Sequence, residues 1–119
     1  MPIRKISRIA VTALEDIKAS DITVFDVRKL TSLYDTLIIA TAESSRQVKA
    51  LAQHVREAMK AAGATIIGVE GEETGDWVLV DCGDIVVHIM QPAVRRYYNL
   101  EELWTPPAPR RRSKTAISA

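Results

Sequence analysis

The spacing of apolar residues along the chain predicts an alternation of helices and strands. Residues 3–19 place apolar side chains three and four positions apart, which favours a helix with one buried stripe. Residues 22–27 are rich in β-branched side chains and predict a strand. Residues 35–41 predict a second strand, and because it is apolar on both faces we expect it to lie inside the sheet.

The helix that follows has clear signals at both ends. Ser44 and Gln47 have the spacing of a capping box, in which the serine caps the helix and the glutamine bonds back to the backbone. Apolar residues from Val48 to Ala62 then form one face of the helix. Gly63 follows at the position where a left-handed C-terminal cap is common.

The C-terminal half predicts a group of strands and a short helix. Apolar and β-branched runs predict strands at 65–69, 77–81 and 85–90. Gly83 lies in the short turn between the last two and is expected to supply a positive φ. Pro92 begins a short helix, and a final turn runs from Leu100 to Trp104. This order predicts an α/β domain with a single mixed sheet of about five strands and helices packed on it.

Composition places the chain among ordinary globular proteins. The 119 residues fit one domain, and 47% are hydrophobic and 26% charged. The single cysteine, Cys82, cannot form an internal disulfide. The N-terminal residues lack the uninterrupted apolar region of a secretory signal, and no apolar run approaches the length of a membrane span. We therefore expect a cytoplasmic protein without a membrane contact.

Charge is distributed unevenly between the body of the chain and its end. The formal net charge is +1, of which residues 105–119 contribute four positive charges, so that residues 1–104 sum to −3. We therefore expect a folded domain over 1–104 and a Pro- and Arg-rich disordered tail over 105–119. The tail could make a peripheral contact with RNA phosphates, although four charges bind only weakly and a solvated tail is the simpler interpretation. Its cations are Arg110, Arg111, Arg112 and Lys114.

The sequence offers little chemistry for a cofactor, a metal or catalysis. No glycine-rich turn leads directly into a helix, and the acids around residues 70–76 would repel phosphate. Neither histidine has a second ligand at metal spacing, and His88 is interpreted as a core or half-buried strand residue. A metal site formed by Glu70, Asp81 and Asp84 is conceivable, but aspartates beside a turn more often bond its backbone. We predict no metal, no cofactor and no catalytic residue.

One enzymatic alternative stays open from the residues alone. Asp26 ends one predicted strand and Asp35 starts the next, so their carboxylates could meet at a sheet edge and hold Mg²⁺ for nucleotidyl transfer. The Gly-Ser turn and Asp-x-Asp pair expected of such an enzyme are missing. Caps and turn anchors are therefore the favoured interpretation of both residues.

Aromatic and arginine side chains are concentrated towards the end of the predicted domain. Trp77 follows the acidic loop and opens a strand, and an aromatic group beside Arg95 and Arg96 surrounds the last helix. Trp, Tyr and Arg are the residue types that carry most of the binding energy in protein interfaces. The group consists of Tyr97, Tyr98 and Trp104.

Together these features resemble the signature of the ribosomal silencing factor family, the Iojap-like proteins. The resemblance covers about residues 3–104 and leaves the tail outside. It is carried by Asp26-Val27, Asp35, Ser44-Ser45-Arg46, Val48, Gly63, Gly68, Glu70-Gly71, Asp76-Trp77, Asp81, Gly83-Asp84, His88, Arg95, Tyr98, Leu100-Glu101 and Leu103-Trp104.

The resemblance implies a translation factor and not an enzyme. Members of the family are similar to nucleotidyltransferase-type domains without the catalytic acids. They bind the large ribosomal subunit through its fourteenth protein and sterically block joining with the small subunit, which lowers translation when nutrients are scarce. The resemblance also implies a part in large-subunit maturation and a homodimer when free.

Carried over by position, the resemblance implies which residues bind the ribosomal protein. An acidic loop beside an aromatic anchor complements the basic surface of such a partner. The expected contacts are Trp77, Val78, Leu79, Val80 and Asp81, followed by Glu70, Gly71, Asp84, Arg95 and Tyr98.

Overall fold

The computed structural model describes residues 3–104. The tail over 105–119, and with it the predicted RNA contact and the predicted disorder, lies outside the described residues. The elements are α1 (Ile3–Asp16), β1 (Ser20–Asp26), β2 (Thr36–Thr41), α2 (Ser45–Ala61), β3 (Gly68–Glu70), β4 (Trp77–Asp81), β5 (Ile85–Met90), α3 (Pro92–Tyr98) and α4 (Glu101–Trp104).

The predicted order of elements is confirmed, with differences of extent. Helix α1 ends at Asp16 and not at residue 19, and β1 covers Ser20–Asp26 in place of 22–27. The final turn forms a separate short helix, α4. Strand β3 begins at Gly68 and not at residue 65. The reason lies in its neighbour, because β4 ends at Asp81, the residue opposite Gly68, and offers no strand for the preceding residues to pair with.

The five strands form one mixed sheet in the order β1-β2-β5-β4-β3. Strands β2 and β5 run parallel, and every other neighbouring pair is antiparallel. Strand β2 lies between β1 and β5 and is buried along its whole length, as its two apolar faces predicted. The predicted fold class, a single mixed sheet with helices packed on it, is confirmed.

Helices α1 and α2 cover one face of the sheet, which we call the covered face. Ser44 caps α2 by accepting a hydrogen bond from the Gln47 backbone N–H at 3.1 Å. The Gln47 side chain bonds back to the Glu43 N–H and donates to Ile17, which ties α2 to the end of α1. Sheet residues on this face are fully or almost fully buried: Ile38, Ala40, Val78, Val80, Ile85, Val87 and Ile89.

Helices α3 and α4 cover only part of the opposite face, which we call the open face. A smaller buried cluster lies there, formed by Val27, Leu37, Ile39, Val86 and Met90. Val94 in α3 and Leu100, in the link between α3 and α4, pack on it, while Trp77 and Leu79 flank it half-buried. Within residues 3–104 no helix combines the length and apolarity that crossing a membrane requires.

Candidate functional site

Strand β4 divides its side chains between the two faces because successive residues in a strand point in opposite directions. Trp77, Leu79 and Asp81 are half-buried on the open face. Val78 and Val80 are 0% exposed and pack in the cluster of the covered face, with α1 and α2. The prediction that Val78 and Val80 contact a partner is therefore corrected, since neither side chain reaches the surface.

The open face contains two adjoining hollows that share Leu79 and His88. The first has a volume of about 280 Å³ and is lined by Glu70, Gly71, Trp77, Leu79 and His88. The second has a volume of about 460 Å³ and is lined by Leu33, Tyr34, Ile67, Leu79, Asp81, Gly83, Val86 and His88. The shared residues make one continuous, largely apolar surface with acidic residues at its margin.

Trp77 lies at one end of this surface and is held from two sides. Its indole Nε1 donates a hydrogen bond of 2.9 Å to His88 Nδ1. Its ring packs against that of Tyr98 with the centroids 4.9 Å apart, and Tyr97 meets Tyr98 edge-on at 5.0 Å. Tyr98 is 54% exposed, so the aromatic group extends from the sheet to the surface of α3.

The contact between His88 and Trp77 was missed at the level of the sequence, although the half-buried state of His88 was predicted. It lies on β5 directly opposite Leu79, and pairing the two predicted hairpin strands would have placed it on the face of Trp77. Burial lowers the pKa of His88 to about 4. The imidazole is therefore neutral near pH 7, which leaves Nδ1 able to accept the indole hydrogen bond.

The acidic loop between β3 and β4 is fixed against the rest of the domain. Gly71 has a φ of 90°, and a Cβ at this position would overlap the backbone carbonyl of Trp77. The Gln91 backbone N–H donates to the Asp76 carbonyl at 3.0 Å, and its side chain donates to the Gly75 carbonyl at 3.1 Å. The loop therefore holds Glu70 and Gly71, both exposed, beside the indole ring.

Two further acids lie at the other end of the open face. Asp81 accepts a hydrogen bond of 2.9 Å from the Gly83 N–H, which confirms the expected turn anchor. Asp84 is exposed in the same turn. Between residues 3 and 104 no group of three or more acids, histidines or cysteines is arranged to hold a metal ion. Burial, with a smaller contribution from Asp81, raises the pKa of the Cys82 thiol to about 11.

Arg95 is directed into the protein, contrary to its prediction as a partner contact. Its side chain is 11% exposed and forms an ion pair of 2.9 Å with Glu101 in α4. The guanidinium also donates to the Asp21 carbonyl at 2.6 Å and to the Thr41 and Thr23 hydroxyls at 2.8 and 3.2 Å. These bonds join α3 and α4 to β1 and β2, so the guanidinium is not available to a partner.

Asp26, on which the enzymatic alternative depended, is occupied by a neighbouring side chain. The Arg28 guanidinium donates to both of its carboxylate oxygens, at 3.0 and 2.6 Å. These hydrogen bonds lower the pKa of Asp26 to about 2. The carbonyl of Asp35 accepts from the Val27 N–H at 2.9 Å. Both residues thus have the anchoring roles that the sequence favoured.

Comparison with known proteins gives a consistent result. A family described as ribosomal silencing factor during starvation matches residues 2–118, further into the tail than the resemblance reached. A ribosomal silencing factor of Chromobacterium violaceum is 58% identical over 104 residues, which are 87% of this chain and 85% of that protein. A mouse protein named mitochondrial assembly of ribosomal large subunit protein 1 is 32% identical over 98 residues, 80% of this chain and 43% of that protein.

A solved structure supports the fold independently. A crystal structure of a protein from Chromobacterium violaceum superposes with a TM-score of 0.86 at 52% sequence identity, covering 97% of this chain and 98% of that one. The fold described above thus matches one that has been determined by experiment in a relative.

Proposed function

This chain belongs to the ribosomal silencing factor family, and we propose that it binds the large ribosomal subunit through its fourteenth protein. Bound there, it blocks joining with the small subunit and lowers translation when nutrients are scarce. The names of its relatives support the coarser statement, a role in ribosome silencing or large-subunit assembly that is regulatory and not catalytic. A contribution to large-subunit maturation is part of the proposal.

The observation that carries the proposal is the open face of the sheet. It combines an aromatic anchor, Trp77, with a half-buried apolar centre at Leu79 and acids at both ends. Interfaces concentrate their binding energy in such anchors, and a ring of polar groups excludes water around them. The acids complement the basic surface that ribosomal proteins present to their neighbours.

The proposed contact set follows from the placement of each side chain. We keep the predicted residues that reach the surface, leave out Val78, Val80 and Arg95, and add the apolar residues that line the second hollow. The set comprises Glu70, Gly71, Trp77, Leu79, Asp81, Asp84 and Tyr98, joined by Leu33, Tyr34 and Ile67.

The same surface provides a reason for the homodimer that the family resemblance implies. Leu33 is 78% exposed and Ile67 is 64% exposed. In a free monomer these apolar side chains are in contact with water, which is unfavourable. We propose that a second copy covers part of the open face when no ribosome is bound. Sedimentation equilibrium of the free protein and of a Leu33→Asp variant tests this, since the variant is expected to be the more monomeric of the two.

Sedimentation with isolated ribosomal subunits, followed by a subunit-joining assay, tests the main proposal. The full chain is expected to migrate with the large subunit only and to reduce the fraction of joined ribosomes. Trp77→Ala is expected to weaken binding by roughly 30-fold, the effect of losing one strong anchor. Glu15→Lys, which changes an exposed residue of α1 away from the open face, is the control and is expected to bind normally.

The possible outcomes separate the function from the site. Wild-type protein that binds neither subunit would overturn the function. Wild-type binding with unchanged binding of a folded Trp77→Ala protein would overturn the site alone. Because Trp77 is half-buried and its removal also affects folding, Leu79→Asp provides a second variant on the same surface.

A further inference from the structure

The hydrogen bond between Trp77 and His88 spans the two strands of the β4–β5 hairpin. Trp77 lies opposite Met90 in the ladder, and His88 lies opposite Leu79, so the two rings are diagonal neighbours on the open face. Their centroids are 5.7 Å apart with an interplanar angle of 45°, and the Nε1 to Nδ1 distance is 2.9 Å. This is a good length for a hydrogen bond between side chains.

The bond determines the chemical state of both rings. Because Nδ1 accepts the indole hydrogen, the neutral imidazole carries its own proton on Nε2. The indole has a single N–H and no acceptor, so its one polar group is already used inside the protein. What Trp77 offers to a partner is therefore the apolar surface of its ring and not a hydrogen bond.

The bond also restricts the orientation of the indole. His88 holds its nitrogen, and Tyr98 packs against its ring at 4.9 Å from the side of α3. Ordering a side chain during association costs affinity, and a side chain that is ordered beforehand avoids this cost. A tryptophan fixed in this way is pre-organised for the partner contact.

We propose that His88 is a positioning residue for the contact at Trp77: it fixes the indole ring in the binding orientation and uses its only donor. The inference rests on the proposed function of the open face. It assigns the partner an apolar group, or the stem of a basic side chain, at the position facing the ring, because both pack on an aromatic surface without needing the N–H. The carboxylate of Glu70, which lines the same hollow, suits the charged end of such a basic side chain.

Two substitutions distinguish the role of the hydrogen-bond acceptor of His88 from the role of its ring shape. His88→Phe keeps an aromatic ring but removes the acceptor, whereas His88→Asn places an amide oxygen near the position of Nδ1. His54→Phe is the matched control, because His54 lies on α2 and pairs with Asp16 away from the open face. All variants are made in the full chain.

The first readout is the Trp77 indole N–H signal in a proton–nitrogen NMR spectrum, assigned with a Trp104→Phe variant. His88→Phe is expected to move this signal upfield, as loss of a hydrogen bond does, while His88→Asn and His54→Phe leave it close to the wild-type position. An unmoved signal in a folded His88→Phe protein would show that the bond does not exist in solution and would overturn the proposal.

The second readout is affinity for isolated large ribosomal subunits. His88→Phe is expected to bind roughly 3- to 10-fold more weakly, which is the cost of ordering one side chain, and His88→Asn to recover most of the loss. If wild-type protein binds and His88→Phe binds equally well despite a moved indole signal, the positioning role is wrong and the proposed function stands. If wild-type protein does not bind, the proposed function falls, and the role of His88 in the contact falls with it.

Discussion

The covered face and the open face of the sheet are built from the same strands but are covered by very different helices. The covered face lies beneath α1 and the 17-residue α2, and its sheet residues are fully or almost fully buried. The open face has only α3, with 7 residues, and α4, with 4. Its apolar residues at Trp77 and Leu79 are therefore left half-buried.

If the open face binds the partner as proposed, this difference separates the residues that stabilise the domain from those that bind. Apolar area buried beneath α1 and α2 contributes to folding at about 25 cal/mol per Å² removed from water. The apolar area of the open face that is still exposed to water adds no such free energy until a partner covers it. A sheet that is apolar on both faces but fully covered on one thus provides a core and the proposed docking surface from the same alternating strands.

Adjacent residues of β4 provide the strongest test of this comparison. Val80→Asp places a carboxylate without a partner in the covered core, and we expect it to cost more than about 4 kcal/mol of unfolding free energy. Leu79→Asp, one residue away on the open face, is expected to cost about 1 kcal/mol and to leave the protein folded. Urea denaturation measures both. Equal losses for the two variants would contradict the division of the strand between faces.

The attachment of the short helices is tested by neighbouring arginines of α3. Arg95→Met removes the hydrogen bonds that join α3 to β1 and β2 and the ion pair with Glu101, at an expected cost of about 3 to 4 kcal/mol. Arg96→Met changes an exposed side chain and is expected to stay within about 0.5 kcal/mol of wild type. Denaturation curves compare them. If Arg95→Met lowers the free energy of unfolding as little as Arg96→Met does, the hydrogen bonds of Arg95 contribute little to the attachment of α3 and α4.

Substitutions of two glycines with nearly the same φ distinguish the cost of backbone strain from the cost of a steric overlap. Gly63 has a φ of 91° and open space around it, so Gly63→Ala is expected to cost only about 1 kcal/mol for the left-handed conformation. Gly71 has a φ of 90° but lies against the Trp77 carbonyl, and Gly71→Ala is expected to cost about 2 to 3 kcal/mol. The difference in unfolding free energy measures how closely the acidic loop packs on β4. No difference would mean that the loop moves away freely.

The predictions from sequence succeeded where the signal was local. The Ser44 cap, the position of Gly63 after α2 and the two apolar faces of β2 are each encoded within a few neighbouring residues, and each is confirmed. The order of these elements predicted the fold class, which is also confirmed, and the resemblance to a family added β4 and its neighbours as a proposed partner contact. It carried β4 over as a whole strand, however, and so included Val78 and Val80, which the alternation of the strand assigns to the other face.

The predictions failed or were incomplete where the interaction is distant in sequence. The groups that bind the Arg95 guanidinium on β1 and β2 are 54 to 74 positions away, so no local pattern around α3 reveals that this side chain points inward. His88 is 11 positions from Trp77, and its role depends on the register of a hairpin. Residues such as Leu33 and Ile67 join the surface only because separate loops meet beside it.

A pH dependence of the free energy of unfolding is expected to report on the open face alone. The pKa of His88 is about 4 in the folded protein, below the ordinary value of 6.5, so between these values the unfolded chain binds a proton that the folded chain does not. This destabilising contribution is small at pH 7 and grows as the pH falls, and the free energy of unfolding of the wild-type protein is expected to drop by about 2 kcal/mol between pH 7 and pH 5 from this group. His88→Asn should lack this part of the slope, whereas carboxylates titrate equally in both proteins. In the described part of the chain the cluster beneath α1 and α2 contains no histidine, so the difference between the two denaturation series belongs to the open face. If the free energies of unfolding of wild type and His88→Asn change with pH in parallel, the pKa of His88 is not lowered by burial beside Trp77.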